Sequence, residues 1–154
     1  MIATPARFFR IALTFAAVIA LDGCAHFVVL HDPLTASEHN DLGVAYETSG
    51  KTRLAAKEYR RSVRLDPEGI RAWVNLGNVE AAEGRWDAAA TSYRHALRIS
   101  PIDADAMNNL AVALLRLGRD WDEARLMAGR AVAAGGERDS VYRATLEEVN
   151  RGRK

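Results

Sequence analysis

Residues 70–103 read IRAWVNLGNVEAAEGRWDAAATSYRHALRISPID, and this stretch decides the fold. Apolar residues recur in it at intervals of three and four, the spacing of one face of an α-helix. Gly84 divides the stretch near its middle, and Pro101 lies near its end. Glycine adopts the left-handed backbone of a tight turn at little cost, and a helix rarely continues up to a proline. The stretch therefore predicts two helices joined by a short turn.

The same pattern occurs on both sides of this stretch at a step of 34 residues. One series marking the step is Leu42, Leu76 and Leu110; another is Gly50, Gly84 and Gly118. Beyond Gly118 the step becomes 35, so one extra residue enters within 119–122. A single helix pair cannot bury its own apolar face, and about three stacked pairs are needed for stability. We expect an all-α solenoid of three helix pairs.

The residues at the fixed positions of this repeat resemble the tetratricopeptide family. In 70–103 the matching residues are Trp73, Leu76, Gly77, Ala89, Tyr93, Ala96 and Pro101. Glu80 alone departs there, because the family has an aromatic residue at that position. The resemblance implies three units at 36–69, 70–103 and 104–138, in which small residues let two helices approach and a large aromatic fills the gap between units.

Both ends of the array carry boundary signals. Thr35 followed by Glu38 is a capping-box pattern that predicts the start of the first helix. Residues 139–154 predict a capping helix, ending near Asn150, and a basic tail. On one side of that helix we expect Val141, Tyr142, Leu146 and Val149, and its other side is charged. A polar outer face is what the last element of a repeat array needs for solubility.

The start of the chain resembles a bacterial lipoprotein signal. Arg7 and Arg10 precede an uncharged apolar run at 11–21 that is too short to span a bilayer. The run ends in Leu21-Asp22-Gly23-Cys24, which is similar to a lipobox except for Asp22. In that family the cysteine receives a diacylglyceryl group and becomes the new N-terminus.

The lipobox resemblance implies a signal peptide at 1–23, lipidation at Cys24 and a lipidated tether at 24–35. It places the protein in the bacterial cell envelope, held on a membrane by lipid. Ala25 follows the cysteine, and the absence of Asp there favours the outer membrane, facing the periplasm. Two alternatives remain open: an ordinary signal peptide with a cysteine near the cut, and an uncleaved membrane helix.

Family resemblance also implies where a ligand binds, because the first helices of stacked units line a concave groove. The polar groove candidates are Asn40, Asp41, Arg71, Asn75, Asn78, Asn108, Asn109 and Arg116. Asp41, Asn75 and Asn109 follow each other at the repeat step, and an amide can both donate to and accept from a peptide backbone. The alternative is that Asn occurs at these positions in the family regardless of ligand.

Some family members bind a C-terminal carboxylate through a five-residue clamp of Lys, Asn and Arg side chains. The corresponding positions here hold Asn40, Val44, Asn75, Asp105 and Asn109. Only Asn75 fits, so we do not expect this chain to bind chaperone tails in that way.

No pattern indicates an enzyme, and we expect no cofactor. The histidines, His26, His31, His39 and His95, show no metal-ligand spacing, so we expect no metal, and we expect His26, His31 and His39 to be solvated or capping residues. Lys and Arg are spread along the helices and interleaved with Glu and Asp, and the net charge is +1, which does not favour nucleic-acid binding. Trp73, Trp86 and Trp121 are interpreted as packing residues, and the alternative is that Trp86 or Trp121 is exposed at a contact surface.

These expectations favour a membrane-anchored scaffold or adaptor that binds an unidentified peptide or protein in its groove. The alternative is a structural or pilot subunit of a larger envelope complex, such as an assembly, pilus or secretion machine. An adaptor would use groove residues, whereas a structural subunit would use its convex face or its ends.

Overall fold

The structure, a computed structural model, describes residues 32–152 of the chain. Seven α-helices and no strand lie in this part. The helices are α1 Ala36–Thr48, α2 Thr52–Leu65, α3 Ile70–Ala82, α4 Trp86–Ile99, α5 Ala104–Leu117, α6 Trp121–Ala134 and α7 Asp139–Gly152. Three helix pairs are followed by one unpaired helix, so the expected all-α solenoid is confirmed.

Turns of three residues join the two helices of each pair. Gly50, Gly84 and Gly118 have φ values of +71°, +72° and +66°, in the left-handed region that is costly for residues with a side chain. In the third pair two residues follow the glycine before the next helix begins, and the second of them, Asp120, has a φ of 54°. The expectation that these glycines turn the chain is confirmed.

The first helix begins with the expected capping box. The backbone N–H of Glu38 donates to Thr35 Oγ1 over 3.3 Å, and the backbone N–H of Thr35 donates to the Glu38 carboxylate over 2.7 Å. The two bonds satisfy donors that the start of a helix would otherwise leave unpaired. The hydrogen bonds that the Thr35 backbone N–H and hydroxyl donate to the Glu38 carboxylate hold the pKa of Glu38 below its ordinary value.

Close helix approach within a pair depends on glycine beneath a tyrosine ring. A Cβ built on Gly77 would lie 2.5 Å from Tyr93 Cε1, and one on Gly43 would lie 2.5 Å from Tyr59 Cε1. Both tyrosine rings are buried, and the small residues Ala55, Ala89 and Ala96 are fully buried. The small-residue positions therefore let the helices meet, as the repeat pattern predicts.

The pairs stack in chain order: α2 packs on α3, α4 on α5, and α6 on α7. First helices of adjacent pairs also touch, since α1 contacts α3 and α3 contacts α5, whereas the described second helices make no comparable contact. The first helices therefore lie on the inner side of the curve. Residues 34–154 form one compact unit with its own core, so we expect it to fold without 1–33.

The last helix covers the end of the core, but its buried face differs from the expected one. Tyr142 and Val149 are buried as expected, while Val141 is 43% exposed and Thr145 is buried instead. Spacings of three and four from Tyr142 lead to Thr145 and Val149, so a threonine completes the inward stripe. The helix ends at Gly152, two residues beyond the expected end.

Polar, ionisable side chains occupy two core positions where the family pattern has aromatic residues. His39 is 1% exposed and its Nδ1 lies 2.8 Å from Glu58 Oε2, so the expectation of a solvated or capping role is wrong for His39. Glu80 is 4% exposed, and its carboxylate accepts from Arg60 and from Ser92 over 2.8 Å each. Buried charges persist when they are paired and hydrogen-bonded, which both carboxylates are.

Acidic residues are not interleaved with the basic ones on every helix, contrary to expectation. The α2 segment TRLAAKEYRRSVRL has five basic residues and a single acidic one, Glu58, which is buried. Its exposed surface is therefore basic, although the net charge of the whole chain is only +1.

Candidate peptide-binding groove

The inner surface of the array consists of α1, α3 and α5, and the groove candidates lie on these helices. Two pairs of amides link adjacent repeats across it. Asn75 Nδ2 donates to Asn40 Oδ1 over 3.0 Å, and Asn109 Nδ2 donates to Asn78 Oδ1 over 3.1 Å. The Tyr93 hydroxyl also donates to Asn78 Oδ1, over 2.9 Å. Buried and half-buried amides are thus held in fixed orientations from one repeat to the next.

Burial separates the asparagines into two groups. Asn40 and Asn108 are 4% and 2% exposed, so their side chains position neighbouring amides instead of presenting a hydrogen-bonding edge to the groove. Asn75, Asn78 and Asn109 are half-buried and open on the inner surface. Asn108 Nδ2 donates weakly to Asn109 Oδ1 over 3.4 Å, while Asn108 Oδ1 is buried and has no hydrogen-bond partner in the described part of the chain.

The charged candidates lie at the rim of the groove. Arg71 and Asp41 are exposed, with 3.5 Å between Arg71 Nη2 and Asp41 Oδ1. Arg116 lies 3.8 Å from Glu148 of α7. Because Asn75 donates to Asn40 and not to Asp41, the expected row of Asp41, Asn75 and Asn109 is not joined by hydrogen bonds of its own.

Asp105 is also hydrogen-bonded to side chains within the chain. It accepts from Arg138 over 2.6 Å and from the Tyr142 hydroxyl over 2.9 Å. Burial and the neighbouring Asp105 carboxylate raise the pKa of Tyr142. The bonds join α5 to the beginning of α7 and place a negative charge where the tail-binding clamp of the family has a lysine.

An apolar pocket of about 280 Å³ opens beside the Asn78–Asn109 pair. Its walls are Ala81, Ala82, Trp86 and Val112, and its polar edge is formed by Asn78, Asn109 and the Tyr93 hydroxyl. The sequence does not predict this pocket, because three helices contribute to it, although exposure of Trp86 at a contact surface was the alternative to a packing role. The available signal in the sequence was the pair of small residues Ala81 and Ala82 at the end of a groove-lining helix, followed closely by Trp86.

Other kinds of site receive no support from the described residues. No group of three or more His, Cys, Asp or Glu side chains within 32–152 is arranged to hold a metal ion. No helix in that range is long and apolar enough to cross a membrane. Cys24, His26 and His31 lie outside the described residues, as does the expected signal peptide.

Comparison with known families decides the identity of the repeat. Two models of the tetratricopeptide repeat match the chain, one over residues 40–101 and the other over 80–148. The chain contains tetratricopeptide repeats. This fold is a protein-interaction scaffold, and the matched segments include all of the half-buried groove asparagines.

Solved structures of tetratricopeptide domains are similar in fold. The first such domain of Spaghetti (RPAP3), bound to the HSP90 peptide SRMEEVD, has a TM-score of 0.71 and 16% identity, covering 80% of this chain and 97% of that one. The TPR2B domain of yeast Sti1, in a pHsp70 complex, has a TM-score of 0.70 and 18% identity, covering 75% and 96%. No curated protein matches the chain. At these identities the likeness establishes the fold alone.

Proposed function

We propose that this tetratricopeptide protein is an adaptor that binds an extended segment of another protein in its groove. We further propose that lipid on Cys24 holds it at a membrane of the bacterial cell envelope. The observation that carries the binding proposal is the fixed, half-buried amides of α3 and α5 next to an apolar pocket. A binding site of this kind combines a few oriented polar groups with apolar walls.

The amides have hydrogen-bonding capacity left for a peptide. Asn75 uses one N–H toward Asn40, and its Oδ1 accepts no hydrogen bond from a described residue. One amide can therefore donate its second N–H and accept at its oxygen. An extended peptide displays alternating C=O and N–H groups along its backbone, which an oriented amide can bind without regard to the peptide's sequence.

Selectivity in this proposal comes from the pocket. Its lining by Ala81, Ala82, Trp86 and Val112 favours one apolar side chain of the bound segment, next to the Asn78–Asn109 pair. Burying an apolar side chain contributes about 1.5–3 kcal/mol. We therefore propose a partner whose binding segment has an apolar residue and little negative charge.

An acidic chaperone tail does not fit this groove. The two similar domains are named for complexes with an HSP90 peptide and with pHsp70. Here Asp105 occupies a clamp position that the family fills with lysine, and Asn40 at another clamp position is buried and bonded to Asn75. We expect the peptide SRMEEVD to show no saturable binding at millimolar concentration.

The groove is tested by blocking the pocket. Random twelve-residue peptides would be selected on residues 34–154, and the dissociation constants of the selected peptides measured. Ala82 is exposed on the groove side, so Ala82→Arg fills the pocket opening without removing any packing contact. We expect Ala82→Arg to weaken binding at least tenfold.

The matched control is Ala133→Arg, because Ala133 is also exposed, lies on α6 and is not part of the pocket. It should bind the selected peptides as the unchanged protein does. If Ala82→Arg leaves binding unchanged and substitutions on the second helices abolish it, the structural or pilot subunit replaces the adaptor.

A further inference from the structure

The outer side of α2 carries positive charge that the protein itself does not neutralise. Arg53, Lys57 and Arg64 fall on one stripe of the helix, at spacings of four and seven, and all three are exposed. We call these three residues the α2 basic face. Within the described part of the chain none of the three forms an ion pair, so no carboxylate oxygen lies within 4 Å of their side-chain nitrogens.

The other basic residues of this helix, Arg60 and Arg61, differ because they pair with buried carboxylates. Arg60 bonds to the buried Glu80 over 2.8 Å, and Arg61 bonds to the buried Glu58 over 2.9 Å. Glu83, which lines the same surface pocket as Arg53, pairs instead with Arg85 over 2.7 Å. The α2 basic face is therefore an excess of charge beyond what the fold requires.

Outer charges of the later helices are more often neutralised. Arg94 pairs with Glu123, and Arg119 pairs with Asp87. Arg125 has Asp122 at 3.7 Å, and Arg143 has Asp139 at 2.6 Å. Arg98, Arg130 and Arg151 of the later helices also form no ion pair with a described residue, but each lies on a different helix. The α2 basic face gathers three such residues on one helix of the first repeat, the repeat that follows the expected tether.

Two exposed leucines lie along one edge of the α2 basic face. Leu54 is 42% exposed and Leu65 is 58% exposed. On the helix both lie on the same side of the stripe formed by Arg53, Lys57 and Arg64. Basic residues flanked by apolar ones are typical of helices that lie in a membrane interface, where cations meet headgroups and apolar side chains enter the acyl boundary.

We propose that the α2 basic face docks on anionic phospholipid headgroups of the membrane that carries the lipid anchor. This inference rests on the lipid anchor of the proposed function for its location. The anchor alone holds the protein at the membrane but does not determine its orientation relative to the bilayer. Docking through α2, a second helix of its pair, points the groove of the first helices away from the bilayer and toward partners.

A membrane is favoured over an acidic protein by position and by apolar content. The expected tether at 24–35 has 12 residues and reaches at most about 40 Å when extended, so the first repeat stays close to the bilayer surface. The exposed leucines add an apolar contribution that an acidic polypeptide or a nucleic acid does not require. Each basic residue near an anionic surface strengthens binding about fivefold.

The test uses residues 34–154, which form a compact unit without the anchor, and vesicles of phosphatidylethanolamine and phosphatidylglycerol at 3:1. We expect measurable co-sedimentation at 50 mM salt, weakening as salt rises, and much less binding to phosphatidylcholine vesicles. The triple variant Arg53→Gln, Lys57→Gln, Arg64→Gln should lose about a hundredfold in partitioning, three fivefold steps. Circular dichroism of each variant verifies that it is folded.

The matched control is Arg125→Gln, Arg130→Gln, Arg143→Gln, which makes the same change in net charge on α6 and α7. It should partition within threefold of the unchanged protein. The proposal is overturned if the unchanged protein does not co-sediment with the anionic vesicles, or if both triple variants lose binding equally. Tighter binding to poly-glutamate or duplex DNA than to these vesicles would also overturn it. Because the anchor is absent here, failure of this test is separate from failure of lipidation at Cys24.

Discussion

At the scale of single residues, the contact between Gly77 and Tyr93 is the most sharply defined feature of the repeat. A Cβ on Gly77 would meet the ring at 2.5 Å, and the ring cannot easily swing aside because its hydroxyl is bonded to Asn78. We expect Gly77→Ala to lower the free energy of unfolding by about 1–3 kcal/mol, the usual cost of overpacking. Urea denaturation followed by circular dichroism measures it.

Gly129 provides the matched control in the interior of α6. A Cβ there meets nothing within 4 Å, so Gly129→Ala should raise the free energy of unfolding by about 0.5–1 kcal/mol. Equal effects of the two alanine substitutions would show that the register of the repeat is misassigned.

The buried tyrosines predict a loss of stability in alkali. Burial raises the pKa of Tyr93, and burial together with the Glu47 carboxylate raises that of Tyr59, both from an ordinary value of 10.0. Above pH 10 the unfolded chain therefore releases protons that the folded chain retains, which favours unfolding. The free energy of unfolding should be insensitive to these phenols below pH 10 and fall above it.

Replacing one phenol isolates its share of that pH dependence. Tyr93→Phe should lose stability through the missing bond to Asn78, yet show a shallower decline between pH 10 and 11 than the unchanged protein. Urea titrations at each pH provide the comparison, and an unchanged slope would mean that Tyr93 ionises equally in both states.

At the scale of helices, the repeat spacing was enough to predict the pairs, the turn glycines and the capping box at Thr35. Those features depend on residues a few positions apart, or on a pattern that recurs unit after unit. The pairing of His39 with Glu58, and of Glu80 with Arg60, could not be predicted, because the partners lie on different helices and replace the family's usual residues. The apolar pocket was missed for the same reason, since α3, α4 and α5 all contribute to it.

The asparagines show how much of a candidate binding site a repeat pattern can predict. The sequence places eight candidate residues on the groove-lining helices. Which of their side chains are accessible from the groove depends on how far each one points into the core. Asn40 and Asn108 are adjacent in the chain to Asp41 and Asn109, and they point far enough inward to be buried. Whether the open asparagines bind a partner stays a prediction.

The final helix predicts an effect at the same scale. Tyr142 and Val149 of α7 are buried against the core that includes Leu114 and Ala128. Ending the chain after Arg138 would expose that apolar surface, as loss of a capping repeat does. We expect the truncated protein to unfold at lower urea and to aggregate, as measured by denaturation and light scattering.

A truncation after Gly152 serves as the control, because it removes only Arg153 and Lys154. It should match the full unit in both measurements. A stable, monomeric protein ending at Arg138 would contradict the capping role of α7.

At the scale of the whole molecule, the lipid anchor can be tested by mass. We expect the membrane form purified from bacteria to lack residues 1–23 and to carry diacylglyceryl and fatty acyl mass on Cys24. Cys24→Ala should leave the leader uncleaved. An N-terminus at Met1, or a cut elsewhere without added lipid, would contradict the anchor while leaving the groove untouched.

The central claim is that the groove is the binding surface, and crosslinking in living cells tests it most directly. A photo-reactive amino acid would be placed at Ala82 in the groove, and separately at Ala133 on α6. We predict that the Ala82 position yields a discrete crosslinked protein, that an added Val112→Arg substitution abolishes it, and that Ala133 yields no such product. Crosslinks from Ala133 with none from Ala82, or an Ala82 product that is insensitive to Val112→Arg, would contradict the account.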